Sequence, residues 1–249
     1  MLARVEQALV STGEFVEFAG RAFRVFLTSA PYLTEVLRQS YRITIGTLPI
    51  ILLVSIFIGA NMIVQGYQVL KMLGAETMLG MFASFSLVRE MAPALGGAMV
   101  GVKAGSEMAS ELATMKIRSQ IDAIDVMGVD PVRFLVVPRV LASVIAMPIM
   151  TAVTLYAAIG AGYVVAVYQF DLNGVQYISQ IMENTTAHDL FVCIIKSLSF
   201  GLLMALIQCY AGFRAEHGPQ GVGLATNHAI VAGISSLAWV NLLISAMMY

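Results

Sequence analysis

Polar and apolar positions fall into long blocks along this chain. Apolar blocks occupy roughly residues 45–64, 78–103, 134–168, 190–213 and 224–248, each long enough for a helix to cross a bilayer. None alternates with the period of two that a barrel strand needs. The pattern predicts an all-α integral membrane fold in a single domain over 1–249. Interfacial helices take 1–44, two spans lie within 45–110, a short amphipathic helix covers 111–131, and three further spans lie within 132–249. Pro49 is expected in the first turn of the first span, where a missing N–H costs little, and residues 66–77 form the loop that leaves it. Residues 169–188 read only as a polar connection.

The stretch ELATMKIRSQIDAIDVMGVDP, Glu111–Pro131, interrupts the apolar pattern with charge. Ile117, Ile121 and Ile124 share one helical face, while Lys116, Arg118, Asp122 and Asp125 lie off it. Gly128 suits a left-handed stop, and Asp130-Pro131 marks a turn. A segment this short and charged cannot span a bilayer. It reads as a helix on one side of the membrane, a handle for another protein. Residues 1–40 interleave aromatic and charged side chains (Phe15, Glu17, Phe18, Arg21, Phe23, Arg24), which suits either helices lying in the membrane interface or a cytoplasmic helical tail.

Basic residues set the orientation. With the handle in the cytoplasm, Arg4, Arg21, Arg24, Arg38, Arg42, Lys103, Lys116, Arg118, Arg133, Arg139 and Arg214 all fall inside or at the inner interface, and Lys71 falls outside. That places the C-terminal Tyr249 in the periplasm. Glu6, Glu14 and Glu17 interrupt what would be a signal-peptide core, so the expected location is a bacterial inner membrane, entered by the chain's own helices.

Composition agrees. Hydrophobic residues make up 59% and charged residues 12%, with a mean hydropathy of +0.83; a soluble domain carries about 25% charged residues. A net charge of −1 without a basic patch gives no reason to expect nucleic acid. Cys193 and Cys209, about 24 Å apart on one expected helix, cannot bridge each other. No metal constellation and no catalytic motif is visible, and His188, His217 and His228 sit in separate segments. The run GGAMVGVKAG, from Gly96 to Gly105, misses the phosphate-loop pattern because Val102 stands where the lysine belongs. Energy for uphill transport would therefore come from an ion gradient or a partner ATPase.

The chemistry that remains is charge inside apolar segments: Arg89, Glu90 and Lys196, each costly against lipid by at least ~2.5–3.5 kcal/mol on insertion scales. By depth, Glu90 and Lys196 can meet, either as a salt bridge pinning two helices or as part of a substrate path. Small residues at a spacing of four (Gly97, Gly101, Gly105, Ala109, Ala113) suit close helix packing, within the chain or against a second copy.

Two long stretches, Leu79–Arg139 (LGMFASFSLVREMAPALGGAMVGVKAG and onward through the handle) and FVCIIKSLSFG at Phe191–Gly201, resemble the MlaE/YrbE permease family of MCE-type lipid ABC transporters. The resemblance covers about 40–248 and implies a non-catalytic permease with five spans and interfacial elbow helices. The implied function is ATP-driven movement of phospholipid between inner and outer membranes, maintaining outer-membrane lipid asymmetry. It implies a second permease copy, an ABC ATPase dimer that binds the ATP and magnesium, a periplasmic MCE-domain hexamer and a STAS-domain protein, with no cofactor in this chain. Glu111–Pro131 would be the coupling helix, meeting the ATPase through Glu111, Lys116, Arg118, Asp122, Asp125, Met127 and Asp130. The family's charged pair and fourth-span lysine look like Arg89, Glu90 and Lys196, with Arg89 or Lys196 meeting the lipid phosphate. Two positions depart from the family's pattern: His228 in Ala225-Thr226-Asn227-His228 replaces a basic residue, and Asn241 in Val240-Asn241-Leu242 replaces an aspartate. The main competing expectation is a secondary lipid transporter driven by an ion gradient and dependent on Glu90. Against it stand the absence of an inverted repeat and a single acid at depth. A lipid enzyme and a pure scaffold also compete; the first lacks a nucleophile–base or metal constellation.

Overall fold

The computed structural model describes residues 2–28, 32–216 and 218–249, and every regular element among them is helical. His217 and the side chain of Arg4 lie outside the described residues. The α-helices are α1 (Leu2–Thr28), α2 (Leu33–Met72), α3 (Leu79–Ala83), α4 (Ala92–Val100), α5 (Ser106–Ile117), α6 (Gln120–Val126), α7 (Val137–Tyr168), α8 (Gly174–Asn184), α9 (Ala187–Phe213) and α10 (Pro219–Met248). Three π-helical segments interrupt them, at Ser84–Met91, Gly101–Gly105 and Val132–Val136. Among the described residues, four stretches are long and apolar enough to cross a membrane: Leu33–Met72, Val132–Tyr168, Ala187–Phe213 and Gln220–Met248.

The first of these differs from expectation at both ends. It begins at Leu33, so Pro49 lies well inside a helix and not in its first turn. It also runs through Gly66, which packing explains. A Cβ at Gly66 would collide with the Phe82 ring, so this glycine makes room for a neighbour and does not stop the helix. The stop is Gly74, at φ +65°. Ala75 N–H donates to the Leu70 carbonyl (2.9 Å) and Gly74 N–H to that of Lys71 (3.1 Å), the paired bonds of a Schellman cap. The second expected span, 78–103, is not one regular helix. It is α3, a π segment, α4 and a second π segment, running on into α5. The polar connection 169–188 holds α8, whose first turn is capped by the Asn173 carboxamide oxygen, accepting from Val175 N at 2.9 Å.

The chain divides into two compact units. The first takes residues 1–43, 101–143 and 201–236, and its core joins Leu112, Ile121, Val136, Ala205 and Cys209, with Phe18 and Phe213 packed against them. The second takes residues 44–100, 144–200 and 237–249, with a core of Ile63, Leu79, Leu87, Ala158, Tyr177 and Ile181. In the second unit a Cβ on Gly59 would run into the Ala158 backbone, so α2 and α7 approach with almost no side chain between them.

Candidate functional site

In the second unit the three charges of the apolar segments, Arg89, Glu90 and Lys196, converge. Lys196 on α9 is 0% exposed, and its ammonium spends all three protons. It donates to Glu90 Oε1 (2.9 Å), Ser245 Oγ (2.8 Å) and the backbone carbonyl of Arg89 (2.7 Å). Glu90 gains two further donors: Ser245 Oγ to Oε1 at 2.8 Å and Asn241 Nδ2 to Oε2 at 2.9 Å. One carboxylate thus ties α9 and α10 to the π segment that carries it.

The bond to the Arg89 carbonyl follows from the sequence four residues later. In a regular helix that carbonyl would accept from residue 93, which is Pro93 and has no N–H. Lys196 supplies the proton that Pro93 lacks. A helix-breaking residue, a wide π turn and a buried lysine are parts of one arrangement.

Arg89 points into a different setting. Its Nε pairs with Asp189 Oδ1 at 2.9 Å, and its guanidinium lies 4.3 Å from the Phe85 ring centre and 4.7 Å from that of Tyr249. Asp189 is 3% exposed at its side chain. Its other oxygen accepts from Thr186 N (2.9 Å) and Thr186 Oγ1 (2.7 Å), while Asp189 N–H points back to Thr186 Oγ1, a capping box that starts α9. The cluster carries two positive charges, Arg89 and Lys196, and two negative ones, Glu90 and Asp189. Asp189, in the first turn of α9, is thus a second acid of the cluster, and it is buried. Its signal is Thr186-Ala187-His188-Asp189, a capping pattern at the edge of an apolar block. Lys196 is buried and fully bonded, so of the two candidates for phosphate only Arg89 keeps donors without a protein partner among the described residues. The two departures from the family's pattern also separate here. Asn241 joins the cluster, and His228 is an exposed residue of the first unit.

The four-spaced small residues pack within their own units. A Cβ at Gly97 would meet Leu237 at 2.8 Å. At Gly101 it would fall on Met204 Cε, and at Gly105 on the Gln208 carboxamide. Gln208 donates from its Nε2 to the Gly101 carbonyl, at 2.8 Å. In an α-helix a spacing of four drifts by about 40° per step. The wider π turn at Gly101–Gly105 offsets the drift, so Gly97 to Ala113 all stay buried at that spacing.

In the first unit the handle is two helices and not one. Ser119, at φ +54°, bends the chain between α5 and α6. Ile121 is buried and Ile124 packs beside it, as the apolar stripe predicts. Gly128, at φ +78°, closes α6 with a Schellman pair, Val129 N–H to the Ile124 carbonyl and Gly128 N–H to that of Asp125. The corner sorts the charged residues. Glu111 turns inward to Arg42 (2.5 Å) and Arg139 (3.3 Å), Asp130 pairs with Arg21 (3.2 Å), and Lys116 spans the bend to Asp122 (2.8 Å). Arg118, Asp122, Asp125 and Met127 are exposed on the tip, with Val126 beside them at 88%. Val126 is absent from the residues that sequence reasoning selects; its signal is an apolar residue off the isoleucine stripe.

The family described as Permease MlaE matches residues 36–247. A probable ABC transporter permease protein of Rickettsia felis is 31% identical over 96% of this chain and 92% of its own length. One from Synechocystis is 30% identical over 92% and 88%. The intermembrane phospholipid transport system permease protein MlaE of Haemophilus influenzae is 30% identical over 95% and 94%.

Proposed function

The chain belongs to the MlaE permease family, and we propose that it is the membrane-spanning subunit of an ATP-driven transporter moving phospholipid between the inner and outer membranes of a bacterial envelope. In this proposal two copies pair along their spans, and the run from α3 to α5 makes the fifth crossing. A partner ATPase dimer binds ATP and magnesium and grips the exposed tip of α6, with the handle cytoplasmic and Tyr249 periplasmic. An MCE-domain hexamer on the periplasmic side and a STAS-domain protein on the ATPase complete the assembly.

One observation carries the reading. A charge-balanced cluster sits among apolar helices, and one member, Arg89, is 30% exposed at its side chain with neither Nη partnered by protein among the described residues. A guanidinium edge of this kind suits the two oxygens of a lipid phosphate, in a charge-assisted and bidentate contact. Glu90 and Lys196 act behind it, holding the π segment that aims Arg89. The exposed Val126 and Met127, flanked by Asp122 and Asp125, give an ATPase an apolar anchor with charge around it.

The test is ATP-dependent phospholipid transfer by the complex purified with this chain and reconstituted in liposomes. Arg89→Ala should leave the complex assembled and lower transfer at least tenfold, the loss of one charged hydrogen-bonding contact. Full transfer by that variant would remove Arg89 from the lipid path. Transfer by the chain alone, driven by an ion gradient without ATP, would make it a secondary transporter.

A further inference from the structure

The surroundings of Arg89 are more specific than an ion pair requires. Phe85 lies against one side of its guanidinium at 4.3 Å and Tyr249 against it at 4.7 Å, while Asp189 holds the Nε edge at 2.9 Å. Asp189 is itself fixed by both the backbone and the hydroxyl of Thr186. The Tyr249 ring is seated against His188, with centroids 6.1 Å apart. The two rings limit tilting of the guanidinium, and the Asp189 carboxylate lies beside its Nε edge. Neither terminal nitrogen has a hydrogen bond to protein among the described residues, Nε meets Asp189 as an ion pair without a hydrogen bond, and the side chain keeps 30% exposure.

We infer that Asp189, Phe85 and Tyr249 are positioning residues that present the two Nη atoms of Arg89 as a fixed fork, selecting lipids whose headgroup carries a phosphate over lipids of the same tails without one. The inference rests on the proposed lipid function and deepens it by assigning selectivity. An arginine whose rotamers are already restricted gives up less entropy when it binds, so its preference for a planar two-oxygen acceptor is sharper than that of a free side chain. Tyr249 follows the last residue of α10, and its own N–H is bonded to the Ser245 carbonyl at 3.0 Å. Its ring can therefore be removed without opening that backbone bond.

The experiment uses the full chain in nanodiscs of digalactosyldiacylglycerol, which contains no phosphate. Photoreactive phosphatidylglycerol and photoreactive diacylglycerol are supplied at equal mole fraction, and the ratio of the two labels is read. The native chain should favour the phosphatidylglycerol probe. Tyr249→Ala and Asp189→Asn should lower that ratio about tenfold while diacylglycerol labelling stays constant, a split that general unfolding would not produce. Tyr249→Phe, which keeps the ring face, should retain most of it. If Asp189→Asn does not fold, Tyr249→Ala decides by itself. An unchanged ratio in Tyr249→Ala overturns the inference. An unchanged ratio in Arg89→Ala overturns the assignment of Arg89 beneath it, so the two failures are distinguishable. Excess inorganic phosphate should not compete; loss of the preference in its presence would make the fork a site for free anions and overturn the assignment to a headgroup.

Discussion

At the scale of single residues, Lys196 is the side chain with the most to lose. Replacing it by Met leaves Glu90 with one donor fewer on Oε1, and the Arg89 carbonyl with no partner from α9. Glu90 is partly exposed, so the expected cost is about 1.5–3 kcal/mol, the worth of a hydrogen bond to a charged group. Pro93→Ala restores an N–H four residues after Arg89. It should therefore cost less in the Lys196→Met background than in the native one, with a coupling of about 0.5–1.5 kcal/mol. A denaturation cycle on the four detergent-purified proteins measures this, and strict additivity would separate the proline from the lysine. Residues of this kind were unequally legible. Arg89, Glu90 and Lys196 stand out in any apolar run because charge there is expensive. Asp189 did not, since it lies where a polar connection meets an apolar block. Ser245 and Asn241 are neutral, and nothing in their spacing tells which carboxylate they serve.

At the scale of elements, the interruptions were the least legible feature. Hydropathy shows one span at 78–103, where the chain alternates between α and π turns. Periodicity assumes a fixed number of residues per turn, so it cannot register a wider turn. The clue was the strict spacing of four, which only a locally unwound helix can keep on one side. Gly105→Ala should force Gln208 away from its bond with the Gly101 carbonyl, destabilising the protein by about 1–3 kcal/mol in thermal or denaturant unfolding. Gly105→Ala tolerated at no cost would mean that α9 can move aside. The handle was legible as an amphipathic unit, with Ile121 and Ile124 inward and Gly128 as its stop. The bend at Ser119 was not, because a serine carries no strong signal for φ above zero. Changing Asp122 and Asp125 together to Lys should lower co-purification of a tagged ATPase partner without changing thermal stability of the chain, apart from the small contribution of the exposed Lys116 pair. Undiminished recovery would place the docking surface elsewhere.

At the scale of the whole molecule, the all-helical membrane class was the most legible property, because composition and block length decide it without any detail of packing. The long helices keep large apolar side chains outward, among them Phe57 on α2, Tyr156 on α7, Phe191 on α9 and Leu243 on α10. Trp239 on α10 is 68% exposed and is the chain's single tryptophan, so it reports on that helix without any engineered label. In nanodiscs with brominated acyl chains its fluorescence should be strongly quenched for the chain alone. Weak quenching would mean that α10 is covered by protein and not by lipid. The link between Glu90 and Lys196 also has a consequence for how the molecule is made. The two residues are 106 positions apart, and Asn241 and Ser245 come later still. During synthesis the glutamate reaches the bilayer long before any of its partners has left the ribosome. A nascent chain arrested before residue 187 carries that carboxylate with nothing to receive it, and should be held at the insertion machinery or degraded, whereas one long enough for all of α9 to have left the ribosome should be released into the membrane.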